Sequence, residues 1–149
     1  MILRYTLMLL LLLISSESIN ARCIVPPPPK TAFLDAKSVF VGKIIEITSL
    51  SVPDPELPPG VINLEQPIKV RVKVERVYRG VEDDEIEVET MTGGPDWGVN
   101  FKLNETYVIY AHEKDKKKKS LIVYGCGRTG LITQAEEDLE FLNGLNESK

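Results

Sequence analysis

Apolar and polar positions alternate most cleanly over 67–80, PIKVRVKVERVYRG, where Ile68, Val70, Val72 and Val74 are interleaved with Lys69, Arg71, Lys73 and Glu75. A period of two sends one set to a buried face and the other to water, so this stretch predicts a β-strand. The same reasoning predicts a strand over SVFVGKIIEIT (38–48) on Val39, Val41, Ile45 and Ile47, with Gly42 marking a bulge or bend inside it. The turn VEDD (81–84) leads into an alternating strand around Ile86 and Val88. TYVIYAH (106–112) and SLIVYG (120–125) are two further strands, and EKDKKKK (113–119) is their hairpin tip. Helical spacing occurs twice. Ala32, Phe33 and Ala36 predict a turn or two of helix after the proline run, and Ala135, Leu139, Leu142 and Leu145 share one face near the end. Thr133 followed by Glu136 reads as a capping box for that second helix.

Two stretches break the pattern. Residues 49–66 hold four prolines and a glycine and read as a long loop between strands of one domain. GGPDWG (93–98) is a second irregular loop. About five strands, long loops and few helices in a chain this size predict a mainly β protein: a five-stranded OB-fold-type Greek-key barrel with a short N-terminal helix and a C-terminal amphipathic helix. A β-sandwich is the runner-up and needs about seven strands.

The first residues lie outside this domain. MILRYTLMLLLLLISSESINA has an early cation, Arg4, an apolar run from Leu7 to Ile14, and a polar segment ending on a small residue. That is the layout of a secretory signal, and the run is too short to span a bilayer, which takes about 20 residues. Residues 1–21 are therefore predicted to be a signal peptide, with a cut after Ser18 as the rival, and 22–149 the mature domain. The protein is expected to be secreted, without a membrane span after cleavage, and monomeric. In an oxidising compartment Cys23 and Cys126, the chain's two cysteines, read as a disulfide, with two free thiols as the alternative. Closing a loop of about 100 residues is worth up to about 4.7 kcal/mol in the chain-entropy model.

The formal net charge is −4, which argues against non-specific nucleic-acid binding. Catalytic chemistry finds no support. The single histidine, His112, reads as an exposed strand-end residue, and no nucleophile elbow or glycine-rich phosphate loop is present. Two cysteines and one distant histidine do not make a zinc site. The chain is read as a non-enzyme with no cofactor and no metal of its own. Lys116, Lys117, Lys118 and Lys119 form its densest positive charge, either a contact for sulfated polysaccharide or a solvated tip that keeps a strand edge from aggregating. Trp97 either anchors a protein partner or caps the barrel. Asn104 and Asn146 match the N-glycosylation acceptor pattern.

Several segments taken together carry a resemblance: a cysteine followed by prolines in ARCIVPPPPK, then AFLDAKSVFVGKIIEI, GPDWGVNFKLNETYVIYA, YGCGRT and QAEEDLEFL. In this order and spacing, over roughly residues 23 to 142, the chain resembles the netrin-like domain of the tissue inhibitors of metalloproteinases (TIMPs), in its small single-domain form. The family fold is an OB-type barrel. The resemblance implies a partner, a zinc metalloprotease, whose catalytic zinc is chelated by the α-amine and carbonyl of the inhibitor's first cysteine. It implies a binding ridge of Arg22, Cys23, Ile24, Val25, Pro26 and Pro27, supported by the 49–66 loop and by Pro95, Asp96 and Trp97. The family opens with Cys-x-Cys; here one of those cysteines is missing, and Trp97-Gly98 stands where its partner's Cys-Gly belongs. The matched losses leave Cys23–Cys126 as the surviving pair. In that register Cys23 is the family's second cysteine and Ala21 stands at the first position; in the other, Cys23 is the first. A non-inhibitory extracellular binding module is the alternative function, and a structural matrix protein a third.

Overall fold

The structure, a computed structural model, describes residues 25–49, 67–91, 98–115, 117 and 120–147. Its elements are α1 (Pro29–Asp35), β1 (Ser38–Ser49), β2 (Pro67–Arg79), β3 (Glu85–Met91), β4 (Thr106–Asp115), β5 (Ser120–Ile122), β6 (Gly130–Leu131), a 3-10 turn (Ile132–Gln134) and α2 (Glu136–Glu147). The strands pair in the order β1-β2-β3-β5-β4, and a β1–β4 pairing closes the ring, with β6 added beside β4. All pairings are antiparallel except β3–β5, which is parallel. This is the closed five-stranded barrel of the OB type, with a helix near each end of the chain. The sandwich alternative is set aside.

Inside the barrel lie Phe40, Ile44, Val70, Val72, Val88, Phe101, Tyr107, Ile109, Ala111, Leu121 and Val123. A second cluster sits outside it, where Ala32 and Ala36 at the N-terminal end and Ala135 and Leu142 at the C-terminal end cover Val39, Val41, Val108 and Tyr110. Phe33 and Phe141 meet edge to face across the two helices, 6.0 Å apart. Because the helices cover their outer face, β1 and β4 are buried on both sides over Ser38–Gly42 and Tyr107–Ala111. Continuous apolar runs such as VFV and YVIYA result, while β2, wet on its outer face, keeps the strict alternation.

α1 begins on prolines because a proline in the first helical turn gives up an N–H that has no partner there anyway. Gly42 sits at a register shift between β1 and β2, and a Cβ there would run into Val72 and come within 2.9 Å of the Lys73 carbonyl oxygen. Gly80, at φ +69°, turns the chain out of β2 in the left-handed region, and Ser38 Oγ donates to its carbonyl (2.9 Å).

Four expectations change. In β1 the most deeply buried large side chains are Phe40 and Ile44; Ile45 is half-buried and Ile47 exposed, because a further shift between Ile44 and Glu46 turns the strand. The capping box is not formed. Thr133 lies in the 3-10 turn, and Leu139 N–H already bonds to Ala135 O (2.9 Å), so the helix starts after Ala135 with Glu136 as its first residue. β4 runs on through Asp115, so the hairpin tip is shorter than 113–119. β5 stops at Ile122, although Val123 still donates to Glu89 O (2.8 Å). The 49–66 loop apart from Ser49, and 93–97 of the second loop, lie outside the described residues. So do residues 1–24, which hold the proposed signal peptide.

Candidate functional site

The densest polar constellation joins β4, the turn after β5, α2 and the segment leading into α1. Tyr110 points out of the barrel from β4, and its hydroxyl donates to Asp138 Oδ1 (2.7 Å). Asp138 and Glu137 stand in the first turn of α2, where the helix dipole favours carboxylates. Arg128 meets Asp138 as a fork, Nε to Oδ1 at 2.6 Å and Nη2 to Oδ2 at 2.9 Å, and Nη2 also reaches Glu137. Its Nη1 donates to the carbonyl of Pro27 (3.0 Å), 101 residues away in sequence. Thr129 Oγ1 accepts from the Tyr110 N–H (2.9 Å) and donates to its carbonyl (3.3 Å), so the arginine's turn is itself clipped to β4.

The Arg128 and Asp138 side chains are only 9% and 7% exposed. A guanidinium buried this far is tolerated because its donors are consumed in four hydrogen bonds of fixed geometry. The bond to Asp138 is the main cause holding Arg128 above its ordinary pKa, against the opposing effect of burial. Burial, and then the bond to Asp138, push the Tyr110 phenol well above its usual range. At neutral pH the cluster is thus an ion pair plus a neutral phenol donor. Its described donors are spent on structural partners, so the arrangement positions the chain and does not activate a nucleophile. What it positions is the segment at Pro27, with Val25 (78% exposed) and Pro26 beyond it.

Val25, Pro26 and Pro27 flank the arginine staple; Arg22, Cys23 and Ile24 lie outside the described residues. Cys126 is exposed in the same turn as Arg128. Pro95, Asp96 and Trp97 also lie outside, but the return from their loop is fixed: buried Thr90 accepts from Val99 N–H (2.9 Å) and donates to Val123 O (3.0 Å). Lys117 is exposed in the β4–β5 turn, where its N–H bonds Asp115 Oδ1 (2.8 Å); Lys116, Lys118 and Lys119 are outside the description. Next to them, Lys114 pairs with Glu89, and on the outer barrel face Lys69 meets Glu87 (2.6 Å) and Arg71 meets Glu46 (3.1 Å). His112 is half-buried within β4 and tilted against Tyr124, 5.5 Å between rings, so it is not the exposed strand end expected. Asn104 sits in an exposed turn, and Asn146 in the last turn of α2. Among the described residues no group of three or more His, Cys, Asp or Glu side chains is placed to hold a metal ion. None of their helices is long and apolar enough to cross a membrane.

Sequence reasoning missed the roles of Arg128, Asp138, Tyr110 and Glu137. One signal was present: Asp138 lies three residues after Ala135 and four before Leu142, a carboxylate on the apolar stripe of an amphipathic helix. An acid there needs a buried cation. No protein-family model matches this chain, and no curated protein matches it.

Proposed function

We propose that this chain is a secreted TIMP-like protein that uses its N-terminal segment to block the active-site zinc of a metalloprotease. The observation carrying this reading is the Arg128 staple, which ties Pro27 to the barrel beside Cys126. A ridge that enters a protease cleft gains affinity from being held rigid before it binds, since ordering it then costs little. The OB-type barrel, reached from strand order alone, agrees with the family's fold.

A Cys23–Cys126 disulfide belongs to the same proposal. Pro27 is four residues after Cys23 and Arg128 two after Cys126, and with the Arg128–Pro27 bond in place these short arms, at up to about 3.3–3.6 Å per residue, are compatible with a bridge between the two cysteines. No cysteine among the described residues is free. The disulfide and the arginine then hold the segment at two points. The zinc in the complex is the protease's.

The deciding experiment takes the secreted protein, fixes its first residue and thiol count by intact mass with and without reduction, and titrates it against a panel of zinc metalloproteases. Inhibition by a chain that starts at Cys23 or Ala21 with no free thiol, abolished by acetylating the α-amine, is the expected result. No inhibition by that same species overturns the reading. Binding to sulfated polysaccharide that weakens steeply with salt would favour the non-inhibitory module.

A further inference from the structure

Residues Leu103 and Asn104 form an exposed turn that leads into β4. Asn104 has φ +67°, a left-handed conformation that asparagine tolerates better than most residues. The turn is fastened along its main chain. Asn104 N–H bonds Ile44 O (2.9 Å), Ile44 N–H bonds Glu105 O (2.9 Å), Glu105 N–H bonds Lys102 O (3.3 Å), and Lys102 N–H bonds the Tyr107 hydroxyl (3.0 Å). The Asn104 side-chain amide, by contrast, has no hydrogen-bond partner among the described residues. Leu103 beside it is 54% exposed, an apolar side chain left in water at the same tip. Thr106, two residues on, opens β4 and completes the acceptor triplet Asn104-Glu105-Thr106.

We infer that Asn104 carries an N-linked glycan, which shields Leu103 and leaves the N-terminal edge open. The donor is a lipid diphosphate-linked oligosaccharide of the secretory compartment. Asn104 Nδ2 forms a bond to the anomeric carbon and gives up a proton; the sugar–oxygen bond breaks, and the lipid diphosphate leaves with its electrons. The free amide and the fastened backbone let the folded turn hold the sugar without losing a hydrogen bond. Antiparallel β4 rises about 3.4 Å per residue. Tyr110, whose N–H meets Thr129 beside Arg128, therefore lies roughly 14 Å along the strand from Thr106, where the Asn104 turn enters β4. The attachment point is thus set apart along β4 from the residue that meets the Arg128 turn, which holds Pro27.

This inference rests on the secretion part of the proposed function and is independent of protease inhibition. The full chain is expressed in a glycosylating eukaryotic secretory host, and the mass of the protein in the medium is taken before and after peptide N-glycosidase. The expected result is loss of one glycan, with conversion to aspartate in the peptide containing position 104. Both Asn104→Gly, which keeps the left-handed backbone accessible, and Thr106→Ala abolish it, while Thr106→Ser retains it. Secreted chain with no glycan, or with a glycan on Asn146 alone, overturns the inference and leaves secretion standing. Chain retained unglycosylated in the cytosol overturns both.

Discussion

Replacing Arg128 by methionine removes the fork from Asp138 while keeping a long, apolar side chain in the space. Asp138 is then a buried carboxylate with the Tyr110 hydroxyl as its remaining partner. Exposed ion pairs contribute about 0–1 kcal/mol, but stripping one partner from a buried pair costs about 3–5 kcal/mol, because the surviving charge has lost both water and its counter-ion. Side-chain exposures of 9% and 7% put this pair in the second class. Glu137, 69% exposed, adds little. Losing the bond to Pro27 O adds about 1 kcal/mol. A total of about 5 kcal/mol, at about 3–5 °C per kcal/mol for a domain of this size, lowers Tm by roughly 15–25 °C. Urea unfolding of the Arg128→Met variant, with the Arg128→Met/Asp138→Leu double variant beside it, supplies the test. Removing both charges together leaves only the Tyr110 hydroxyl and the Pro27 carbonyl without partners, so the double variant is expected to regain about 2 kcal/mol over Arg128→Met. A loss below about 1 kcal/mol in the single variant, or simple additivity in the double, refutes the reasoning.

Other perturbations bear on the same fold. Because the folded state raises the Tyr110 pKa, it keeps a proton that the unfolded chain loses near pH 10; stability is unaffected below that pH and falls as pH rises above it. The Tyr110→Phe variant is expected to show a shallower alkaline decline than wild type in denaturant titrations, and equal slopes would remove the phenol from the explanation. Gly42→Ala drives a methyl into Val72 and the Lys73 carbonyl and is expected to cost about 1–3 kcal/mol by urea unfolding, whereas a neutral result means the β1–β2 approach is looser than described. Thr90→Val keeps the shape but strips partners from Val99 N–H and Val123 O, with an expected loss of about 1–3 kcal/mol and faster amide exchange at Val99. Unchanged exchange there would contradict the clamp.

Where one face of a strand is wet, the sequence announces it: Lys69, Arg71 and Lys73 alternating with Val70 and Val72 give β2 its period and its inward face. β1 and β4 are harder to read for burial, because helices cover their outer side and Val39 and Phe40, or Val108 and Ile109, are buried alike. Gly42 marked its bulge. β6, only two residues long, carries no period at all. The apparent box at Thr133 and Glu136 misled because Gln134 and Ala135 supply another start; local spacing cannot say which turn tightens into 3-10 form. Of the candidate site, the proline segment and the CGRT stretch were visible as separate motifs. Their meeting was implied by the expected Cys23–Cys126 pairing, but the Arg128–Pro27 bond was not, since a hydrogen bond between a side chain and a distant carbonyl leaves no periodic trace in either neighbourhood.

The bond between Pro27 and Arg128 also orders events in time. The β1–β2 hairpin forms from neighbouring chain, but the ring closes only when β4 returns to β1 and β5 bridges β3, contacts of long sequence separation that are slow to find. Pro27 leaves the ribosome early and its arginine among the last residues of the domain, at synthesis rates of about 5–20 residues per second. The segment at Pro27, the first of the described residues to be made, is therefore fixed only late. A chain cut short anywhere before residue 128 leaves the Pro27 carbonyl without its arginine, so that bond forms only in chains made past this point.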